Sequence, residues 1–284
     1  MKFDKVTVLG VGQIGASFAL AIREKGLCGH ITGSGRSENN LLKAKERGII
    51  DSYDLNPAAA CTGSELVMLS APVGAFTDLV RKCSASLRSG AIITDAGSVK
   101  GSLVRDIEDL LPDHVRYIGG HPIAGSDRSG IDSSNAELFK NAKCILTPTE
   151  KSDASALKMV MDVWKSLGAR VITMDPVEHD RIYGAVSHFP HVIAYALMNT
   201  VSDIDPAYLE FCGQGFKDTT RIASSSPEMW RDICMLNREN VIEMLSLFQK
   251  NLELFGRYLR AADSVSIEKE FEKARDLRDS IGQG

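Results

Sequence analysis

The chain has 284 residues, of which 44% are hydrophobic and 25% charged, the make-up of a soluble globular protein long enough for a dinucleotide domain and a smaller second unit. A formal charge of −4 argues against nucleic acid or an acidic membrane surface as partner, so any anionic ligand must be drawn by local cations. No apolar run approaches the ~20 residues of a membrane span, and the start MKFDKVTV reads as a strand rather than a signal peptide. The six cysteines (Cys28, Cys61, Cys83, Cys144, Cys212, Cys234) are scattered without a CxxC pair, the pattern of reduced thiols in a cytoplasmic protein rather than a disulfide frame or zinc site.

Lys5–Leu9 is a β-branched apolar run of the kind buried in parallel sheets, and Gly10-Val11-Gly12-Gln13-Ile14-Gly15 follows it directly. Ile14, Phe18 and Ile22 then recur at helical spacing, which puts the glycines in a strand-to-helix turn. Glycine serves the turn itself, close approach to a pyrophosphate and helix-on-strand packing, while the helix N-terminus offers N–H groups and a positive dipole end. Gly10, Gly12, Gln13, Ile14 and Gly15 are therefore candidate cofactor-binding residues; a ligand-free tight turn is the alternative. His30–Ser34 reads as the second strand, yet the acid expected ~20 residues on, which would bond the ribose of NAD, is missing. Gly33-Ser34-Gly35-Arg36-Ser37 stands there, and an arginine among hydroxyls suits a 2′-phosphate. Ser34, Arg36 and Ser37 thus favour NADP, with NAD possible, unless Arg36 is an idle surface arginine.

Leu66–Ser70 is a strand closed by Ala71-Pro72, and Ile92–Asp95 another closed by Ala96-Gly97-Ser98. Leu103, Ile107 and Leu110 mark a helix; Tyr117–Gly120 leads into His121-Pro122; Cys144–Thr147 and Arg170–Met174 are further strands, with a helix between them capped by Ser152. Alternating strands and helices predict a Rossmann-type, doubly wound, mainly parallel α/β sheet over 1–175. Ligands of such sheets lie outside the carboxyl ends of the strands, where Ser70, Ala71, Pro72, Ser98 and His121 stand. Beyond Asp175-Pro176 the strand signal stops, and 176–284 is predicted to be an all-α substrate and dimerisation domain. Pro190 should kink or restart the helix of Val177–Val201, and Ser226-Pro227 has the form of a helix start. Val241, Leu245, Phe248, Leu252, Phe255 and Leu259 form a heptad-like seam. It serves the core of the helical domain or packs against a second copy of the chain. Ser264–Arg278 is charged and amphipathic, with frayed residues expected after it.

His121, flanked by glycines, titrates near neutrality and can take a proton from an alcohol as its hydride leaves to a nicotinamide; a strand-end histidine bonded to backbone is the alternative. The Ser98 hydroxyl can hold a substrate alcohol or the nicotinamide ribose, or cap a helix, and Lys100 reads as surface charge without a role. In Ser187-His188-Phe189-Pro190-His191 the two histidines lie one turn apart, but no acid or cysteine at ligand spacing supports a metal, which leaves helix packing as the rival reading. Arg221 closes a polar, glycine-rich stretch and can clamp a carboxylate, unless it merely pairs with Asp218.

DAGSVKG, GGHPIAGS, SHFPH, GFKDTTRIA and SPEMWRDI, in this order behind GVGQIG, resemble the prephenate/arogenate dehydrogenase family of tyrosine biosynthesis over about residues 6 to 260. The resemblance implies NAD(P)-dependent oxidative decarboxylation of prephenate or arogenate, with His121 as proton acceptor for the ring hydroxyl and Ser98 holding it. It places Arg221 on the ring carboxylate and Ser187, His188, His191 and Trp230 along the site. It also implies a homodimer formed through the C-terminal helices. Lys217 stands where many relatives have arginine, and Gly35 where NAD-using relatives tend to have aspartate. Two rivals remain: a 3-hydroxyacid dehydrogenase, which expects a lysine that Val186–Tyr195 lacks, and a non-catalytic NADP-sensing regulator, which has no need of His121, Ser98 and Arg221 together.

Overall fold

Residues 2–125 and 130–281 are described by a computed structural model; Ser126 of the GGHPIAGS block and the residues expected to fray, 282–284, lie outside them. The chain divides into two compact units, Met1–Arg238 and Glu239–Gly284. In the first, β1 (Phe3–Leu9), α1 (Gln13–Glu24), β2 (Cys28–Ser34), α2 (Glu38–Glu46), β3 (Ser52–Tyr53), α3 (Pro57–Cys61), β4 (Leu66–Leu69), α4 (Phe76–Cys83) and β5 (Ile92–Asp95) alternate. They continue through α5 (Gly101–Leu110), β6 (Arg116–Ile123), β7 (Lys143–Thr147), α6 (Ala154–Ser166) and β8 (Arg170–Thr173). The sheet order is β3-β2-β1-β4-β5-β6-β7-β8, so the order reverses between β1 and β4, and their carboxyl ends open the crevice where nucleotides bind in doubly wound sheets. All pairings are parallel except β6 with β7.

Side chains alternate across each central strand, so the sheet has a core on both faces. Val6, Val8, Leu66, Met68 and Ile92 enter one with Phe18, Phe139 and Trp164. Leu9, Val67, Leu69 and Ile93 enter the other with Phe76, Leu103, Ile107 and, from further along the chain, Trp230 and Ile233. The fold therefore agrees with the expected class, with differences at element ends. Asp153, not Ser152, caps α6, because its carboxylate accepts from Ala156 N while Ser152 accepts from Thr149 N. His121 lies inside β6 rather than beyond its end. The strand pairs with β5 over Arg116–Ile118 and with β7 over Gly119–Ile123. Pro122, which has no N–H to give, thus lies beyond the part of β6 that pairs with β5.

α7 (Pro176–Tyr183) starts at the Asp175 cap and passes through a π-helical turn, Gly184–His188, into α8 (Phe189–Ile204). The wide turn falls just ahead of Pro190, whose missing N–H and ring disfavour a regular turn there. Then follow α9 (Gln214–Thr220), a 3-10 turn at Arg221–Ser224, and α10 (Pro227–Leu236), capped by Ser226 as its sequence suggested. α11 (Arg238–Arg260) carries the heptad-like seam into the second unit, where α12 (Ser264–Ser280) completes it. There Phe255 stacks on Phe271 with ring centroids 5.6 Å apart.

Candidate active site

The glycine turn is fastened from three sides. Gly10 N donates to Ser34 O at 2.8 Å, Ser70 Oγ donates to Gly10 O at 2.9 Å, and Asn40 Nδ2 donates to Val11 O at 2.7 Å. Gly10 has φ +100°, and a Cβ there would collide with the Ala71 backbone. A Cβ on Gly15 would strike Gly10 O and Ser70 Oγ, whereas one on Gly12 would meet nothing within 4 Å. Gly12 therefore faces open space at the N-terminus of α1, a twelve-residue helix whose first turn has neither an acid nor a side-chain cap. A cleft of about 710 Å³ opens there. Gly10, Gly12, Ser34, Arg36, Ser37, Ser70, Ala71 and Pro72 line it as the sequence suggested; Gln13, Ile14 and Gly15 stand behind the lining, and the Gln13 amide reaches Ser133 O instead. A pyrophosphate fits this cradle, with open backbone and a positive helix end and no chain carboxylate in the first turn. Ser37 also caps α2, accepting from Asn40 N at 3.3 Å. Arg36 comes within 3.6 Å of Glu228 on α10, and with Arg231 and Asp232 this helix forms a wall of the cleft that the sequence did not reveal.

Two strands from β4, His121 is half-buried and at the centre of a chain of hydrogen bonds. Its Nδ1 lies 2.9 Å from His179 Nε2, and His179 Nδ1 lies 2.8 Å from Asp180 Oδ1. Asp180 Oδ1 also accepts from Lys100 N at 2.7 Å, so this carboxylate caps α5, a helix without an acid in its own first turn. The approach is close enough that a Cβ on Gly101 would come within 2.6 Å of Asp180 Oδ2. Tyr183 packs edge-on to His121 at 4.9 Å and beside His179 at 4.6 Å. Burial, then the neighbouring His179, Lys100 and His188, hold the His121 imidazole well below its ordinary value. Burial also lowers His179, against the pull of Asp180.

Beneath them lies a buried pair that corrects the reading of Lys100 as surface charge: Lys100 and Asp95 have no exposed side-chain surface, and Lys100 Nζ donates to Asp95 Oδ1. Asp95 further accepts from Gly97 N at 2.6 Å, Tyr117 Oη at 2.6 Å and Gly120 N at 3.1 Å. Ser98 is half-buried in the loop between β5 and α5, and the α5 N-cap position is Lys100, so Ser98 does not cap that helix. His188 is fully enclosed; Asn237 Nδ2 donates to its Nδ1 at 2.9 Å and to Asp180 O at 2.8 Å. Burial pushes His188 down to about 4. His191 stacks on Trp230, centroids 3.4 Å apart, and its Nδ1 lies 2.9 Å from Ser187 O. The Trp230 Nε1 is buried without a hydrogen-bond partner, a donor held in reserve beside these rings. Arg221 is exposed on the 3-10 turn that packs against α8, and Asp218 accepts from Gln214 Nε2 at 2.7 Å. No group of three potential metal ligands assembles among the described residues. His179, Asp180 and Asn237 escaped the sequence reading, although the adjacent His179-Asp180 at the start of a helix was its one visible sign.

A doubly wound sheet, a glycine cradle at its switch point and a neutral histidine on the same carboxyl edge define a nicotinamide-dependent dehydrogenase. Two family models match: the prephenate dehydrogenase nucleotide-binding domain over residues 18–173 and the prephenate dehydrogenase dimerization domain over 175–273. A prephenate dehydrogenase of Bacillus subtilis is 32% identical over 98% of this chain and 76% of its own length. The crystal structure of prephenate dehydrogenase from Aquifex aeolicus, in complex with hydroxyphenyl propionate and NAD+, superposes with a TM-score of 0.92 at 39% identity, covering 98% of this chain and 99% of that one. Synechocystis arogenate dehydrogenase superposes with a TM-score of 0.81 at 27% identity, over 97% and 99%. The chain belongs to the prephenate dehydrogenase family and is an oxidoreductase of NAD(P)-dependent oxidative decarboxylation.

Proposed function

We propose that this chain oxidises prephenate, arogenate or both, with loss of carbon dioxide, to 4-hydroxyphenylpyruvate or tyrosine. The observation that carries the reading is His121: an imidazole kept neutral by its surroundings, on the sheet edge that also opens the nucleotide cleft. A bound nicotinamide supplies the acceptor for the hydride from ring C4. His121 takes the proton of the ring hydroxyl and Ser98 helps to hold that oxygen. Arg221 grips the ring carboxylate as a planar fork, and Ser187, His191 and Trp230 line the space, with His188 bracing it through Asn237. Loss of carbon dioxide from C1 aromatises the ring, so the protein need supply no acid or metal for it; its tasks are orientation and electrostatic placement of a dianion.

NADP is the favoured cofactor, with NAD as the alternative. No carboxylate ends β2, Gly35 standing there, and the Arg36 guanidinium, 82% exposed, can turn from Glu228 to a 2′-phosphate. Residues 1–175 are read as the dinucleotide-binding domain and 176–284 as the substrate and dimerisation domain, in keeping with a sheet that ends at Thr173. A homodimer through the C-terminal helices accounts for seam residues left bare in the single chain, Leu252 at 54% and Leu259 at 69% exposure. A cytoplasmic location agrees with six cysteines present as free thiols.

The test is a steady-state matrix of prephenate and arogenate against NAD and NADP, read by nicotinamide absorbance, with His121→Asn alongside. The variant should lose ~10²–10⁴ in kcat with cofactor affinity nearly kept, as for a lost general base. Turnover near that of the parent would refute the assignment.

A further inference from the structure

We propose that His179 and Asp180 are positioning residues for His121, fixing which of its nitrogens carries the proton. The inference rests on His121 as the proton acceptor and adds what sets its tautomer. The direction of the chain follows from its end. Asp180 Oδ1 is an acceptor already receiving Lys100 N–H, so the 2.8 Å contact requires His179 Nδ1 to donate. A neutral His179 then has only a lone pair on Nε2, so the 2.9 Å contact requires His121 Nδ1 to donate in turn. His121 Nε2 is left with a lone pair, the state in which it can receive a proton. In the step that uses it, the substrate O–H bond breaks and an Nε2–H bond forms. The positive charge appears on His121 and is stabilised through His179 by the Asp180 carboxylate.

The surroundings favour this arrangement. Lys100 has its charge held by Asp95, Tyr183 packs against both rings, and Asn237 secures both the Asp180 carbonyl and His188. Burial keeps both imidazoles neutral in the resting protein. The arrangement has the logic of a carboxylate-held catalytic histidine, with one imidazole inserted between carboxylate and base.

The test uses the full-length protein labelled with [15N]histidine, with the His121 signals assigned by their loss in His121→Asn. The parent should show a protonated Nδ1 and a lone pair on Nε2 of His121. In Asp180→Asn the amide oxygen, standing in for Oδ1, still accepts from both Lys100 N and His179 Nδ1, so the tautomer is kept while the carboxylate charge behind the His121 imidazolium is lost. kcat should then fall by ~10²-fold, with KM and the dissociation constants of NAD and NADP little changed. Should Asp180→Asn fail to fold, a second pair decides: His179→Gln, whose amide oxygen can still accept from His121 Nδ1, should retain at least about ten times the kcat of His179→Leu. A protonated Nε2 in the parent, an Asp180→Asn enzyme with unchanged kcat, or equal losses in Gln and Leu would each overturn the proposal. A fully active His121→Asn would instead remove the reading on which it stands.

Discussion

Replacing Lys100 by Met removes an ammonium that has no exposed surface and leaves the Asp95 carboxylate buried without its counter-charge. Breaking a buried ion pair by deleting one partner costs about 3–5 kcal/mol. Asp95 keeps three other donors, at Gly97 N, Tyr117 Oη and Gly120 N, which puts the expected loss near the lower end, about 3 kcal/mol. For a chain of this size that is roughly 6–12 °C in Tm. Asp95→Asn/Lys100→Met removes both charges but turns the amide NH2 toward Gly97 N–H or Gly120 N–H, so it should recover only part of the loss. The same ammonium helps to hold His121 below its ordinary value, so removing it should move the acidic limb of kcat to higher pH. Differential scanning calorimetry of the two singles and the double, with a pH profile of kcat for each, closes the cycle. A single Lys100→Met that melts with the parent, or a double that melts below the single, would show that the pair is not the electrostatic unit described.

His188 lies near 4 in the fold and near 6.5 when unfolded, so the unfolded chain takes up a proton first as pH falls. The stability this confers is present above pH 6.5 and is lost between there and 4, by about 3 kcal/mol in all. Urea midpoints that stay flat across this window would contradict it, and His188→Gln should flatten the slope. Gly12→Ala should leave Tm nearly unchanged while weakening cofactor binding by ~10-fold or more. Gly15→Ala should instead destabilise by about 1–3 kcal/mol, since its Cβ has no room; calorimetry and cofactor titration on both would expose a reversed pattern. Arg221→Ala should chiefly raise the KM for substrate, and a fall in kcat alone would end its role as clamp.

The glycine cradle was legible because its constraints are local: a turn, a close approach and a helix start all fall within six residues. The strands were legible for the same reason, as apolar runs bounded by glycine and proline. Lys100 was misread because nothing in its run says that it turns inward onto Asp95, a carboxylate that Tyr117 and Gly120 from the next strand also bond. The His179–Asp180 brace joins partners 58 and 80 residues away, and α10 reaches the nucleotide cleft from beyond residue 226, distances over which periodicity says nothing. The antiparallel β7 was equally silent, because a strand's direction is set by the connection before it rather than by its composition.

Asp180 belongs to a helix of the all-α half, yet it finishes α5 of the sheet half, and its neighbour steadies His121 on β6. Cutting the chain where the strands stop would leave one helix uncapped and one imidazole unsupported. That interlock explains why the first compact unit runs on to Arg238, some sixty residues past the last strand. Division of labour by sequence segment is thus no division in stability, and on the proposed reading a loosened α7 should cost His121 its support together with the cap of α5.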